Sequence, residues 1–160
     1  MIEGGAPQRP IIVKIAPDIA EEDVAPIVER LVARGVDGIA VSNTTLARDR
    51  LKSPRARELG GLSGRPIFRR STAMLARVFR ETGGKIPLIG IGGIDSGQRA
   101  LEKIEAGATL LQLYTGLVYE GPGLIGEIKS FLAAELKRCG HTSLTAIRGR
   151  HADEWAKQPL

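Results

Sequence analysis

Two apolar runs in this chain end in residues suited to holding a phosphate. The first is Leu88-Ile89-Gly90-Ile91-Gly92-Gly93-Ile94-Asp95, and the second is Leu110-Leu111-Gln112-Leu113-Tyr114-Thr115-Gly116. A strand that stops in glycines and opens a helix offers bare backbone N–H groups and a positive helix end to an anion. Two such ends in succession match the loops after the last two strands of a (β/α) barrel, where phosphorylated ligands are held. Taken alone, Gly-x-Gly-Gly also has a steric reading, because tight strand-to-helix turns use glycine for its backbone freedom. It is not a dinucleotide fingerprint: Asp95 stands where that pattern needs glycine, and no glycine-rich turn follows the first strand.

Other polar residues call for explanation. Lys14 sits within the apolar run Ile11-Ile12-Val13-Lys14-Ile15. An ammonium there either snorkels or pairs with a carboxylate such as Asp18, or it is aimed at negative charge developing on a ligand. Ser42-Asn43-Thr44-Thr45 closes the next apolar run, Gly38 to Val41, at the strand edge where barrel enzymes place their chemistry. These types are also good turn and cap residues. The asparagine amide, both donor and acceptor, suits a flat, amide-rich ligand.

The elements that must position these residues are four strand-then-helix units. The first strand, Ile11 to Ile15, precedes a helix with Val24, Ile27, Val28, Leu31 and Val32 on one stripe, ended by Gly35. Pro26 argues for a late start to that helix. The second strand runs from Gly38 to Asn43, and its helix carries Ile67, Leu75, Val78 and Phe79 up to Gly83-Gly84. The third, Leu88 to Ile91, feeds a helix around Ala100, Leu101 and Ile104 that stops at Gly107. The fourth, Leu110 to Tyr114, precedes a helix from Leu124 to Leu136 that ends at Gly140. Near-continuous apolar strands alternating with amphipathic helices predict an α/β fold with a parallel sheet. Thr44 to Arg65, with prolines, arginines and Gly60-Gly61-Leu62-Ser63-Gly64, has little helical pattern and reads as a functional lid. We expect a single domain over 1–160, with 141–160 a short turn and a polar tail.

Composition excludes several classes. Hydrophobic residues make up 42% and charged residues 26% of 160 residues, ordinary for a globular domain. No apolar stretch reaches the ~20 residues of a membrane helix, so no membrane segment is expected, and the polar Met1 to Pro10 reads as neither signal nor anchor. The net charge of +5 comes from scattered arginines with only 4% aromatics, which argues against a nucleic-acid partner. With one cysteine, Cys139, and two histidines, no zinc cluster forms and no metal site is expected. A lone cysteine also fits a reducing compartment.

Five segments, in this order, resemble dihydroorotate dehydrogenase of the membrane-associated, quinone-reducing class. They are Val13-Lys14-Ile15-Ala16-Pro17-Asp18, Ser42-Asn43-Thr44-Thr45, Gly60-Gly61-Leu62-Ser63-Gly64-Arg65-Pro66, Gly90-Ile91-Gly92-Gly93-Ile94 and Gln112-Leu113-Tyr114-Thr115. The resemblance covers Pro10 to Gly140 and implies a (β/α)8 barrel that holds FMN, of which this chain supplies the last four β/α units, a half-barrel. It implies that Lys14 lies beside the flavin ring and that Ser42, where the family usually has threonine, also contacts FMN. Gly64, Gly93, Tyr114 and Thr115 would bind the ribityl phosphate and its surroundings, largely through backbone. Asn43 and Thr44 would hold orotate. Implied partners are dihydroorotate or orotate and a quinone, and the implied place is the cytoplasmic face of the cell membrane, peripherally. A barrel of this kind usually takes about 250 residues. The family's base, a serine in its first half, is not among these residues, so no catalytic residue is assigned and the chain alone is expected to be inactive. An open four-stranded sheet would leave strands containing Ile12, Val41, Ile89 and Leu111 short of partners, favouring the other half of the barrel or self-association. The alternatives are a non-catalytic phosphate-binding half-barrel and another FMN or sugar-phosphate barrel enzyme.

Overall fold

The computed structural model describes residues 9–48, 51 and 53–160. The expectation for the N-terminal stretch therefore falls largely outside the described residues, as does part of the lid, 49, 50 and 52.

Short apolar runs form the strands β1 (Ile12–Ile15), β2 (Gly38–Val41), β3 (Leu88–Ile91) and β4 (Leu110–Gln112). They pair in parallel in the order β1-β2-β3-β4. The register puts Lys14, Ala40, Ile89 and Leu110 in one row across the sheet and Ile15, Val41, Gly90 and Leu111 in the next. Side chains in successive rows point to opposite faces. One face is therefore the core, with Ile15, Ile39, Val41 and Leu88 buried. The other is open: Ile12 is 51% and Leu110 60% exposed. This corrects one expectation. Ile12 and Ile89 belong to the open face, but Val41 and Leu111 face the helices and keep their packing.

The helices cover the core face. α1 (Glu21–Ala33) and α2 (Phe68–Thr82) follow β1 and β2, and α3 (Gly97–Glu105) follows β3. The helix expected after β4 is preceded by a short one, giving α4 (Thr115–Glu120) and α5 (Leu124–Arg138). Helix α1 starts early despite Pro26, which lies inside it. Glu22, whose carbonyl loses the proline's N–H as a partner, is exposed to water, and Glu21, Glu22 and Asp23 favour the helix N-terminus. Gly35 at φ +67° and Gly83 at φ +59° end α1 and α2 in the left-handed conformation that glycine adopts without strain.

The segment 141–160 is not a polar tail. Ile147 is buried, and α6 (Ala152–Ala156) buries Ala152 and Ala156 against the sheet-and-helix core. Trp155 meets the Phe68 ring edge-on, with centroids 6.0 Å apart. The backbone is sewn to the end of α3 by Gly149 N–H to the Ile104 carbonyl and His151 N–H to the Glu105 carbonyl, both at 3.0 Å. Its anchors, Leu144, Ile147, Ala152, Trp155 and Ala156, are too sparse to form a readable stripe, while the polar residues between them dominate the sequence impression. Among the described residues no helix is long and apolar enough to cross a membrane.

Candidate functional site

The C-terminal ends of all four strands open onto one cavity of about 400 Å³. Lys14, Ser42, Asn43, Thr44, Gly64, Gly93, Tyr114 and Thr115 all line it. The sequence scatters these residues over a hundred positions, and the parallel topology brings every one of them to the same edge. Ser63, Gly92, Ile94, Gln112 and Gly116 line it too. Sequence reasoning assigned none of them an individual ligand contact, although it placed Gly92, Ile94, Gln112 and Gly116 in the phosphate-suited strand ends and Ser63 in the lid.

Lys14 is exposed on the open sheet face rather than buried in its strand. Among the described residues it forms no ion pair, and Asp18, its possible partner, is engaged elsewhere. Asp18 accepts from the Thr45 hydroxyl at 2.5 Å and the Leu46 N–H at 2.8 Å, and lies 3.3 Å from Arg70 Nε. Arg70 Nε also donates to the Pro17 carbonyl at 3.0 Å. Asp18 thus ties the turn after β1 to the turn after β2, and fixes the base of Ser42-Asn43-Thr44. Asn43 N–H continues the ladder to the Ile15 carbonyl at 2.8 Å, which leaves its exposed side chain directed by a fixed backbone. Ser42 is buried, follows a cis peptide from Val41, and donates its hydroxyl to the Asn43 carbonyl at 3.0 Å.

The lid is anchored at its base. Thr45 and Leu62 exchange backbone hydrogen bonds of 3.1 and 2.8 Å in an antiparallel bridge, and Arg48 donates to the Gly60 carbonyl. Gly61 packs so closely on Thr44 that a Cβ would lie 1.8 Å from its hydroxyl. The far end of the lid reaches the end of β4, where Thr115 Oγ1 donates to Ser63 Oγ at 3.0 Å and a Cβ on Gly64 would meet Thr115 at 3.0 Å. Arg65 pairs with Asp95 and, at 3.2 Å, with Glu120. Its guanidinium is held above its usual pKa, first by the hydrogen bond to Asp95 and then by the charge on that carboxylate. These contacts enclose a second cavity of about 570 Å³ between Gly61 to Pro66, Gly93 to Asp95 and Thr115 to Glu120, continuous in its lining with the first.

Gly93 and Ile94 are buried in sequence between β3 and α3, and their N–H groups have no acceptor among the described residues. Tyr114, 82% exposed, lines the cavity at the start of α4. Beneath Gly92 and Gly93 lies a feature without precedent in the sequence reading, the fully buried Lys103 of α3. Burial pushes its amine well below the usual lysine pKa. Its place on the apolar stripe of Ala100, Leu101 and Ile104 is the signal that could have found it. Cys139 caps α5 half-buried, beside Glu135 and remote in sequence from every cavity residue. Among the described residues no cluster of His, Cys, Asp and Glu could hold a metal ion.

Parallel β/α units that converge on a cavity at the C-terminal strand ends define a member of the (β/α)8-barrel class, here a half-barrel. The family model for dihydroorotate dehydrogenase matches residues 4–136. The chain belongs to the dihydroorotate dehydrogenase family. It is 51% identical over 154 residues to a protein of Brucella ovis named dihydroorotate dehydrogenase (quinone), and 49% identical over 151 residues to one of that name from a Chelativorans species. The matches take in 96% and 94% of this chain but 42% of each relative, so the chain spans about two fifths of their length. The crystal structure of the Eimeria tenella enzyme in complex with ferulenol superposes with a TM-score of 0.82 at 36% identity, over 86% of this chain and 37% of that one. The ligand-free form of the Eimeria enzyme gives the same score over 87% and 39%.

Proposed function

We propose that this chain builds the FMN-phosphate site and part of the orotate pocket of a quinone-reducing dihydroorotate dehydrogenase. The observation that carries the reading is the convergence of Lys14, Ser42, Asn43, Thr44, Gly64, Gly93, Tyr114 and Thr115 on one cavity. The donor set fits the group. Among the described residues the N–H groups of Gly93 and Ile94 have no acceptor, which suits a phosphate, and the glycines at 64 and 93 let their loops pack directly on Thr115 and Phe68. Bound FMN would supply the acceptor for hydride from dihydroorotate and pass electrons to a quinone.

The protein's part is binding, orientation and charge. Gly64, Gly93, Tyr114 and Thr115 hold the phosphate end. Lys14, which forms no ion pair among the described residues, brings a cation to the open sheet face, where it stabilises negative charge on a ring ligand. Ser42 contacts the flavin. Asn43 and Thr44, on a turn locked by Asp18 and by Gly61, read the amide edge and carboxylate of orotate. No catalytic base is assigned to these residues, so on this reading the chain alone does not oxidise dihydroorotate. The protein works peripherally at the cytoplasmic face of the membrane, where its quinone resides.

Titration of the chain with FMN and with riboflavin, followed by flavin fluorescence, tests this. Several charge-assisted bonds to a phosphate should make FMN bind at least tenfold tighter than riboflavin. Equal affinities, or no binding of either, would refute the phosphate assignment.

A further inference from the structure

Lys103 is the least expected residue in the molecule: a lysine with no exposed surface, on the core side of α3. Among the described residues no carboxylate lies within ion-pair distance of it. Its Nζ donates instead to Ser71 Oγ at 2.6 Å and to the Ile91 carbonyl at 3.2 Å, and it sits 5.3 Å from the centre of the Phe68 ring. A buried amine without an acid is costly, and a methionine or leucine would fill the same space without that cost. The residue is therefore explained by what its N–H groups do.

Both of its contacts lie under the glycine loop. Ser71, which accepts from Lys103, shares its own hydrogen between the carbonyls of Phe68 at 3.1 Å and Gly92 at 3.3 Å. The carbonyls of Ile91 and Gly92 are thus drawn down, toward α2 and α3. In a trans peptide the C=O and the following N–H point in opposite directions, and the peptides after Ile91 and Gly92 are trans. Holding those carbonyls down turns the N–H groups of Gly92 and Gly93 the other way, and both residues line the cavity. Space reinforces the effect: a Cβ would lie 2.9 Å from Ser71 Oγ at Gly92 and 2.7 Å from Phe68 Cα at Gly93, so the loop rests directly on this floor.

We infer that Lys103, acting through Ser71 and the Ile91 carbonyl, is a positioning residue that aims the Gly92 and Gly93 N–H groups at an anionic ligand group. The inference rests on the phosphate reading of that cavity and gives it a second layer. Either protonation state of the amine serves, because both required bonds need only N–H donors.

The test uses FMN and riboflavin as paired probes on the full chain. Lys103→Met keeps an unbranched stem of similar volume beneath Phe68 and removes the donors. Ser71→Ala removes the link to Gly92 and provides a second, milder route should the first variant not fold. Each should lower FMN affinity by on the order of tenfold while riboflavin affinity stays at the wild-type value, the loss expected for misaimed bonds to a charged group. The double variant should lose little more than the worse single one, since both act on one chain of contacts. Unchanged FMN affinity in the single variants would overturn the role of Lys103 and leave the proposed function standing. Equal losses for FMN and riboflavin, or additive losses in the double variant, would also overturn it by showing a general support of the fold. A wild-type chain with no preference for FMN would overturn the phosphate reading itself, and the inference with it.

Discussion

Gly93→Ala is the sharpest perturbation of the site that the structure allows. Gly93 has φ +73°, and an added Cβ would stand 2.5 Å from Phe68 Cβ, 2.7 Å from its Cα and 3.0 Å from its N. The left-handed backbone costs a non-glycine residue about 1–2 kcal/mol. Overlap with main-chain atoms cannot be relieved by a rotamer change, and overpacking of this kind costs about 1–3 kcal/mol more. Gly35 provides the control, because it has φ +67° with no atom within 4 Å of an added Cβ. Gly35→Ala should show the backbone cost alone. At ~2–4 °C per kcal/mol for a chain of this size, Gly93→Ala should melt about 2–12 °C below Gly35→Ala. It should also weaken FMN binding by on the order of tenfold, because relief of the overlap moves the loop off Phe68 and misaims its N–H groups. Circular dichroism melts and flavin titrations of the two variants check both parts. Equal melting temperatures would show that Phe68 yields freely. A destabilised Gly93→Ala with wild-type FMN affinity would show that the loop is not the phosphate cradle.

Asn43→Ala should weaken orotate binding by about 1–3 kcal/mol, the cost of leaving buried polar partners unmatched, with FMN content unchanged; calorimetry that shows flavin loss instead would assign the residue to the other ligand. In the enzyme that carries this segment, Lys14→Ala should slow reduction of bound flavin by dihydroorotate on the order of a hundredfold, and near-normal single-turnover reduction would remove its electrostatic role. The chain of 160 residues exposes Ile12 and Leu110 beside unpaired outer strand edges and should self-associate, so light scattering should report a mass above one copy, reduced by Leu110→Lys. A monomer with Leu110 unchanged would refute self-association through the open face.

The strand positions and the edge at which chemistry gathers were legible because a buried parallel strand is a short apolar run, and the chain has four of them, each followed by polar or glycine residues. Face assignment within a strand was not. Every position in Gly38-Ile39-Ala40-Val41 is buried, so no alternation of apolar with polar marks which side meets the helices. Lys14 misled for the same reason: its neighbours are apolar on both faces, and only the register shows that it shares the open row with Leu110. Segment 141–160 hid its order because its contacts are tertiary, a Trp155 ring against Phe68 and two backbone bonds to the end of α3. Lys103 and Ser71 were missed because a helix stripe was read for its apolar members and not for the polar residue set among them.

One regularity in β2 connects the fold to the site. Its helix-facing residues, Ile39 and Val41, are branched and fill the core, while Gly38 and Ala40 on the open face are the smallest side chains available. A Cβ on Gly38 would stand 3.3 Å from the Pro87 carbonyl oxygen and in ordinary contact, 3.4 Å, with the Ile12 side chain. Ala40 stands between Lys14 and Ile89 in the row on the open face. Beyond Val41 stand Ser42, Asn43 and Thr44, which share one cavity with Lys14, Gly93 and Thr115. A flat ring needs clearance over the strands, a polar reader at one side and an anion seat beyond it. On the proposed function, the small open-face side chains of β2 supply the clearance, the Asp18-locked turn the reader, and the loop over Lys103 and Ser71 the seat.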